Sequence, residues 1–84
     1  MEEKDKTEEE ENTFSYLYKM GVLFYQEKKY EEAIQYFEEA IKLDKSKEEL
    51  YFFKAECEES LKQYNKAIND YKKDYLLNLK IQKI

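Results

Sequence analysis

A chain of 84 residues with one glycine, no proline, no histidine and a net charge of −5 allows one small domain and excludes several classes of work. Scarce Gly and Pro favour long uninterrupted helices, and the missing histidine removes the commonest general base near neutral pH. No apolar run approaches the ~20 residues of a membrane span, and the acidic N-terminus is unlike a signal peptide.

Residues 1–13 hold six Glu and one Asp against two Lys and no apolar side chain after Met1. They read as an acidic tail, disordered or frayed. Thr7 and Glu10 have capping-box spacing, but no apolar run follows closely enough to use it. Residues 14–84 balance thirteen acidic residues against thirteen lysines, so no basic patch for a phosphate backbone dominates them and nucleic-acid binding is not expected.

From Phe14 the pattern turns helical. Phe14, Leu17, Met20, Gly21 and Phe24 mark one face of a helix over 14–27, with Thr13 as its N-cap. Lys28, Lys29 and Tyr30 make a turn. Ala33, Ile34, Phe37, Ala40, Ile41 and Leu43 then define a second helix with apolar residues three and four apart. A polar break follows at 44–47, and Ser46 with Glu49 predicts a capping box for the third helix. That helix, 48–61, carries Leu50, Tyr51, Ala55, Cys57 and Leu61. After a second turn at 62–64, a fourth helix starts near Asn65 and uses Ala67, Ile68, Tyr71, Tyr75 and Leu79. Nothing stops it before residue 82.

The two halves repeat at a spacing of 34 residues. Gly21 recurs as Ala55, Tyr30 as Tyr64, Ala33 as Ala67, Ile34 as Ile68, Phe37 as Tyr71 and Leu43 as Leu77. Small residues fall on small, aromatics on aromatics and aliphatics on aliphatics. A period of that length marks a stacked helix-turn-helix unit. The fold class is therefore all-α, two antiparallel helical hairpins over 14–47 and 48–81.

The residues that carry this pattern resemble the tetratricopeptide repeat family. The first copy reads Leu17, Met20, Gly21 and Phe24, then Tyr30, Ala33, Phe37 and Ala40; the second reads Tyr51, Lys54, Ala55 and Glu58, then Tyr64, Ala67, Tyr71 and Asp74. Three departures stand out. Lys45 and Leu79 occupy the places where the family closes its second helix with Pro. Glu58 replaces an aromatic and Asp74 a small residue, and both are expected to point outward from a splayed last hairpin.

The resemblance implies a right-handed superhelical stack whose first helices line a concave groove. That groove would show Ser15, Tyr18, Val22, Tyr25 and Gln26 from the first repeat and Glu49, Phe52, Glu56 and Glu59 from the second. Of these, Tyr18, Val22, Tyr25, Glu49, Phe52 and Glu56 are the expected partner-binding residues. Members that bind acidic chaperone tails use Lys and Asn where this chain has Tyr18, Val22 and Phe53, so that role is not expected. An aromatic, acidic groove fits a basic or apolar peptide or partner helix. The implied function is protein–protein interaction, as a scaffold or adaptor.

Tyr75, Leu76, Leu77, Leu79, Ile81 and Ile84 are too many apolar groups for one packed stripe. Arrays need about three repeats or a polar capping helix to cover the last apolar face. Either the chain is a piece of a longer array or another chain covers this face; in the second case Leu76, Leu79, Ile81 and Ile84 are the expected assembly surface, with a homodimer the simplest closure. A non-catalytic subunit of an enzyme complex is the remaining alternative. Cys57 has no His partner, and Glu56, Glu58 and Glu59 beside it keep its thiol protonated; it reads as a core residue. The Glu pairs at 31/32, 38/39, 48/49 and 58/59 read as solvated faces, and one glycine makes no phosphate loop. No enzyme activity, cofactor or metal is expected. One unpaired cysteine and no leader pattern fit a cytoplasmic protein.

Overall fold

Hydrophobic period and turn chemistry yield four helices in the computed structural model, which describes residues 8–82 and the side chains of residues 8–80. They are α1 (Glu8–Gln26), α2 (Tyr30–Leu43), α3 (Glu48–Ser60) and α4 (Tyr64–Gln82). Helices α1 and α2 form one antiparallel hairpin and α3 and α4 the other, with α2 packed on α3 and a narrower contact between α1 and α3. The core where the hairpins meet holds Ala33, Phe37, Ala40, Leu50 and Cys57, all fully buried.

Helix α1 starts at Glu8, ahead of the expected start at Phe14. Four consecutive glutamates in its first turn favour the positive end of the helix dipole, and Glu is a good helix former. Helix propagates outward from the packed turns at small cost, so residues 8–13 are helical although wholly exposed. Thr13 is consequently not an N-cap: its hydroxyl donates to the carbonyl of Glu9 at 2.8 Å, one turn back. Residues 1–7 lie outside the described residues, and the Thr7 reading with them.

Both hairpin turns close alike. Lys28 and Lys62 each take φ of 65°, and the following residue bonds back to the helix, Lys29 N–H to Phe24 at 2.8 Å and Gln63 N–H to Glu58 at 2.8 Å. This is a Schellman ending with lysine where glycine is usual. The connection between hairpins differs from expectation. Ser46 does not cap α3; its N–H and hydroxyl donate to Asp44 Oδ1 at 3.0 and 2.6 Å, while Lys47 occupies the cap position without a side-chain bond. Asp44 competes for the serine because an Asx turn needs a partner only two residues on.

Gly21 explains how closely α1 and α2 approach. A Cβ there would lie 2.6 and 2.7 Å from Cε1 and Cδ1 of Phe37, so only glycine admits that ring. Phe37 in turn stacks on Phe53 of α3, centroids 5.6 Å apart and planes 10° apart.

Candidate partner-binding surface

The six expected partner-binding residues come from α1 and α3, which run side by side. Tyr25 of α1 donates its hydroxyl to Oε1 of Glu56 on α3. One helical stretch earlier, Tyr18 faces Glu49. Burial first, and then the charge and hydrogen bonding of Glu49, raise the Tyr18 phenol above its usual value. For Tyr25 the bond to Glu56 is the main cause, and its pKa rises to about 12. Both pairs are separated by 31 residues, so they form two like rungs between the repeats.

Phe53 fills the space between the rungs, its ring 6.4 Å from Tyr18 and 5.3 Å from Tyr25. It is the central residue of this surface, and the sequence reading left it out because its position had significance only as a missing clamp residue. Val22 is half-buried against the same core. Phe52 is exposed beside Phe53, and its ring stands 6.1 Å from Tyr71, whose hydroxyl donates to Glu59 at 2.9 Å. Ser15 and Gln26 are exposed. Each rung spends carboxylate hydrogen-bonding capacity on a phenol.

A second set of polar groups was not anticipated. Glu58 does not point outward: it is 2 % exposed, between α3 and α4. Lys54 Nζ lies 3.0 Å from Asp70 Oδ2, 3.3 Å from Glu58 Oε2 and 3.6 Å from Glu38 Oε2. Asp70 is buried as well. Shifted by 34 residues, Lys54, Glu58 and Asp70 fall on Met20, Phe24 and Tyr36, where Phe24 and Tyr36 stack at 5.4 Å with planes 12° apart. An ionic cluster in the second repeat thus replaces an apolar one in the first. The signal was present in the sequence as three charged substitutions at once, with opposite signs among them. Asp74 also fails to face solvent. It is half-buried, and burial first, then Glu48 and Glu49, raise its carboxyl above the usual range.

One ammonium among these carboxylates leaves an excess of negative charge, and Glu58 Oε1 has no hydrogen-bond partner. Desolvation, followed by hydrogen bonding with Asp70, outweighs the pull of Lys54 and raises Glu58 from 4.5 to about 7. A proton on Glu58 therefore relieves the excess negative charge of the cluster. The folded state binds that proton more tightly than the unfolded chain, so this contribution to stability is complete below about pH 4.5 and is lost as pH rises through about 7. Asp74 acts with the same sign. Urea unfolding is expected to show a higher midpoint at pH 5 than at pH 8, with Glu58→Gln flattening the difference. A midpoint that rises toward pH 8 contradicts this assignment.

Among the expected assembly residues, Leu76 and Leu79 are exposed on α4. Ile84 lies outside the described residues, as does the side chain of Ile81. Helix α4 packs on α3 and, among the described residues, on no other helix.

Cys57 is fully buried in the core, and burial first, then Glu58 and Glu56, push its thiol up to about 12. It stays protonated at neutral pH and is no nucleophile. Among the described residues, no group of three or more His, Cys, Asp or Glu is placed to hold a metal ion. No described helix is long and apolar enough to cross a membrane.

A tetratricopeptide repeat profile matches residues 15–47, and a second tetratricopeptide repeat profile matches residues 48–73. No curated protein and no solved structure matches the chain. Each profile falls on one hairpin, leaving out residues 8–14 of α1 and 74–82 of α4. The chain belongs to the tetratricopeptide repeat family, whose repeats generally mediate protein–protein interaction.

Proposed function

We propose that this chain is a scaffold or adaptor module that holds a basic or apolar peptide, or a partner helix, against the adjoining faces of α1 and α3. The observation that supports this reading is the pair of tyrosine–carboxylate rungs, Tyr25 with Glu56 and Tyr18 with Glu49, around Phe53. The rungs fix aromatic rings in place before a ligand arrives, which reduces the ordering cost of binding. Phe52 offers exposed contact area, and Glu49, Glu56 and Glu59 set a preference for positive charge.

A displayed peptide library panned against the whole protein tests this. Enriched sequences are expected to be rich in Lys or Arg next to aliphatic residues. Phe52→Ala, at an exposed position, is expected to weaken an enriched peptide at least tenfold, in keeping with an interface anchor worth over ~1.4 kcal/mol. Acidic winners, or binding indifferent to Phe52, contradict the reading.

The exposed Leu76 and Leu79, on a helix with a single neighbour among the described residues, favour a second reading, assembly through α4. An apolar stripe of that kind is a contact surface in search of a cover.

A further inference from the structure

The chain contains its own template for what covers α4. Among the described residues α2 has two neighbours, α1 and α3, whereas α4 has only α3. On α2, Ile34 and Ile41 are half-buried beside the core that Leu50 and Cys57 of α3 complete. Thirty-four residues later the counterparts on α4 are Ile68 and Tyr75, 55 % and 62 % exposed. The same shift applied to α3 leads back to α1. Leu50 falls on Tyr16 and Cys57 on Leu23, and where the α3 residues are fully buried the α1 residues are 55 % and 44 % exposed. The two open faces of the molecule are therefore the two halves of a contact that already exists between its repeats.

We infer that copies of this chain stack head to tail, with α4 of one copy packed against α1 of the next as α2 packs against α3. This rests on the assembly reading of α4 and names the occupant of that surface.

Helix lengths and charge favour a second copy as that occupant. The start of α3, Glu48, falls on Phe14, yet α1 begins earlier and adds residues 8–13. The end of α2, Leu43, falls on Leu77, yet α4 continues and adds residues 78–82. The short connection at 44–47 holds the end of α2 beside the start of α3. In the stacked arrangement the two added segments lie side by side, six residues against five. One carries exposed Glu8, Glu9, Glu10 and Glu11 at a helix N-terminus; the other carries Lys80 in the last turn of a helix. Charge and dipole both favour that pairing. Lys72, exposed and one turn from both Ile68 and Tyr75, adds a second cation to that face of α4. On α1 a depression of about 420 Å³, lined by Tyr18, Lys19, Met20, Val22, Leu23 and Gln26, includes Leu23 of the open face.

The contact is heterologous and leaves an open face at each end, so it propagates where a two-fold pairing would stop at two chains. Sedimentation of the intact protein across a concentration series reads this directly. Weight-average mass is expected to climb past twice the 10.4 kDa of one chain. Two variants dissect it: Tyr16→Lys with Leu23→Lys blocks the α1 face, and Ile68→Lys with Leu79→Lys blocks the α4 face. All four positions are exposed, and far-UV circular dichroism verifies that each variant folds. Each variant alone is expected to be monomeric. An equimolar mixture is expected to form a one-to-one dimer that grows no further, because each chain keeps one intact face. A parent that stops at a dimer, with the α1-face variant still dimerising, overturns head-to-tail stacking but leaves assembly through α4 standing. A parent monomeric at millimolar concentration overturns both. Should a variant fail to fold, the mass series of the parent still decides between growth, a closed dimer and a monomer.

Discussion

Lys54→Met is expected to lower the unfolding free energy by about 3–5 kcal/mol, a large share of the stability of a small domain. The substituted methionine is the residue that the first repeat has at the same place, Met20, so shape alone forbids nothing. The loss arises because Asp70 and Glu58, both buried, lose the ammonium lying 3.0 and 3.3 Å away. An unpaired carboxylate in a dry interface carries a heavy desolvation penalty. Converting all three members to the first repeat's set, Lys54→Met with Glu58→Phe and Asp70→Tyr, is expected to recover the whole loss and to exceed the parent by about 1–4 kcal/mol. That recovery reflects an old asymmetry of buried ions: the pair is costly to bury, and half of it is costlier still. Denaturant melts of the single and triple variants check this. A single variant within 1 kcal/mol of the parent contradicts a functioning ionic cluster.

The junction of Gly21, Phe37 and Phe53 gives the second large effect. Phe37→Ala is expected to cost about 3–5 kcal/mol, since it empties a fully buried ring site and ends the stacking on Phe53. Gly21→Ala is expected to destabilise by about 1–3 kcal/mol through overpacking. This runs against local propensity, because alanine is better than glycine inside a helix by about 1 kcal/mol. The Phe37 ring at 2.6 Å from the new Cβ decides the sign. Combining Gly21→Ala with Phe37→Leu is expected to be markedly less harmful than the two losses summed, which marks direct coupling. Thermal melts that show Gly21→Ala as stabilising contradict the close approach of α1 and α2. The second repeat already has alanine at this place, Ala55, opposite Tyr71 in place of Phe37.

Much of the architecture was legible from side-chain type alone. Ala33, Phe37 and Ala40 recur at helical spacing, and the structure buries all three completely. The turns at Lys28 and Lys62 were placed by the same two-lysine or Lys-Gln break before Tyr30 and Tyr64, and both adopt the same geometry. Tyr18, Val22, Tyr25, Glu49, Phe52 and Glu56 lie on α1 and α3, the two first helices of the repeats. Their pairing into rungs was not foreseen. It depends on how α1 sits against α3, a relation with no local trace in either segment.

What the sequence by itself determined is the period: the 34-residue recurrence of small and aromatic residues dictates helix, turn, helix, and with it the family. That information is local, because each face repeats every three or four residues along one helix. The tertiary structure alone decided the environment of the polar groups. Glu58 taken by itself reads as solvent-facing, and Lys54 four residues before it and Asp70 on the neighbouring helix make its burial tolerable. The start of α1 at Glu8 has a similar origin, since helix spreads from a packed segment into one that buries nothing. A charge is inside or outside according to the partners that folding brings to it, and those partners come from other helices.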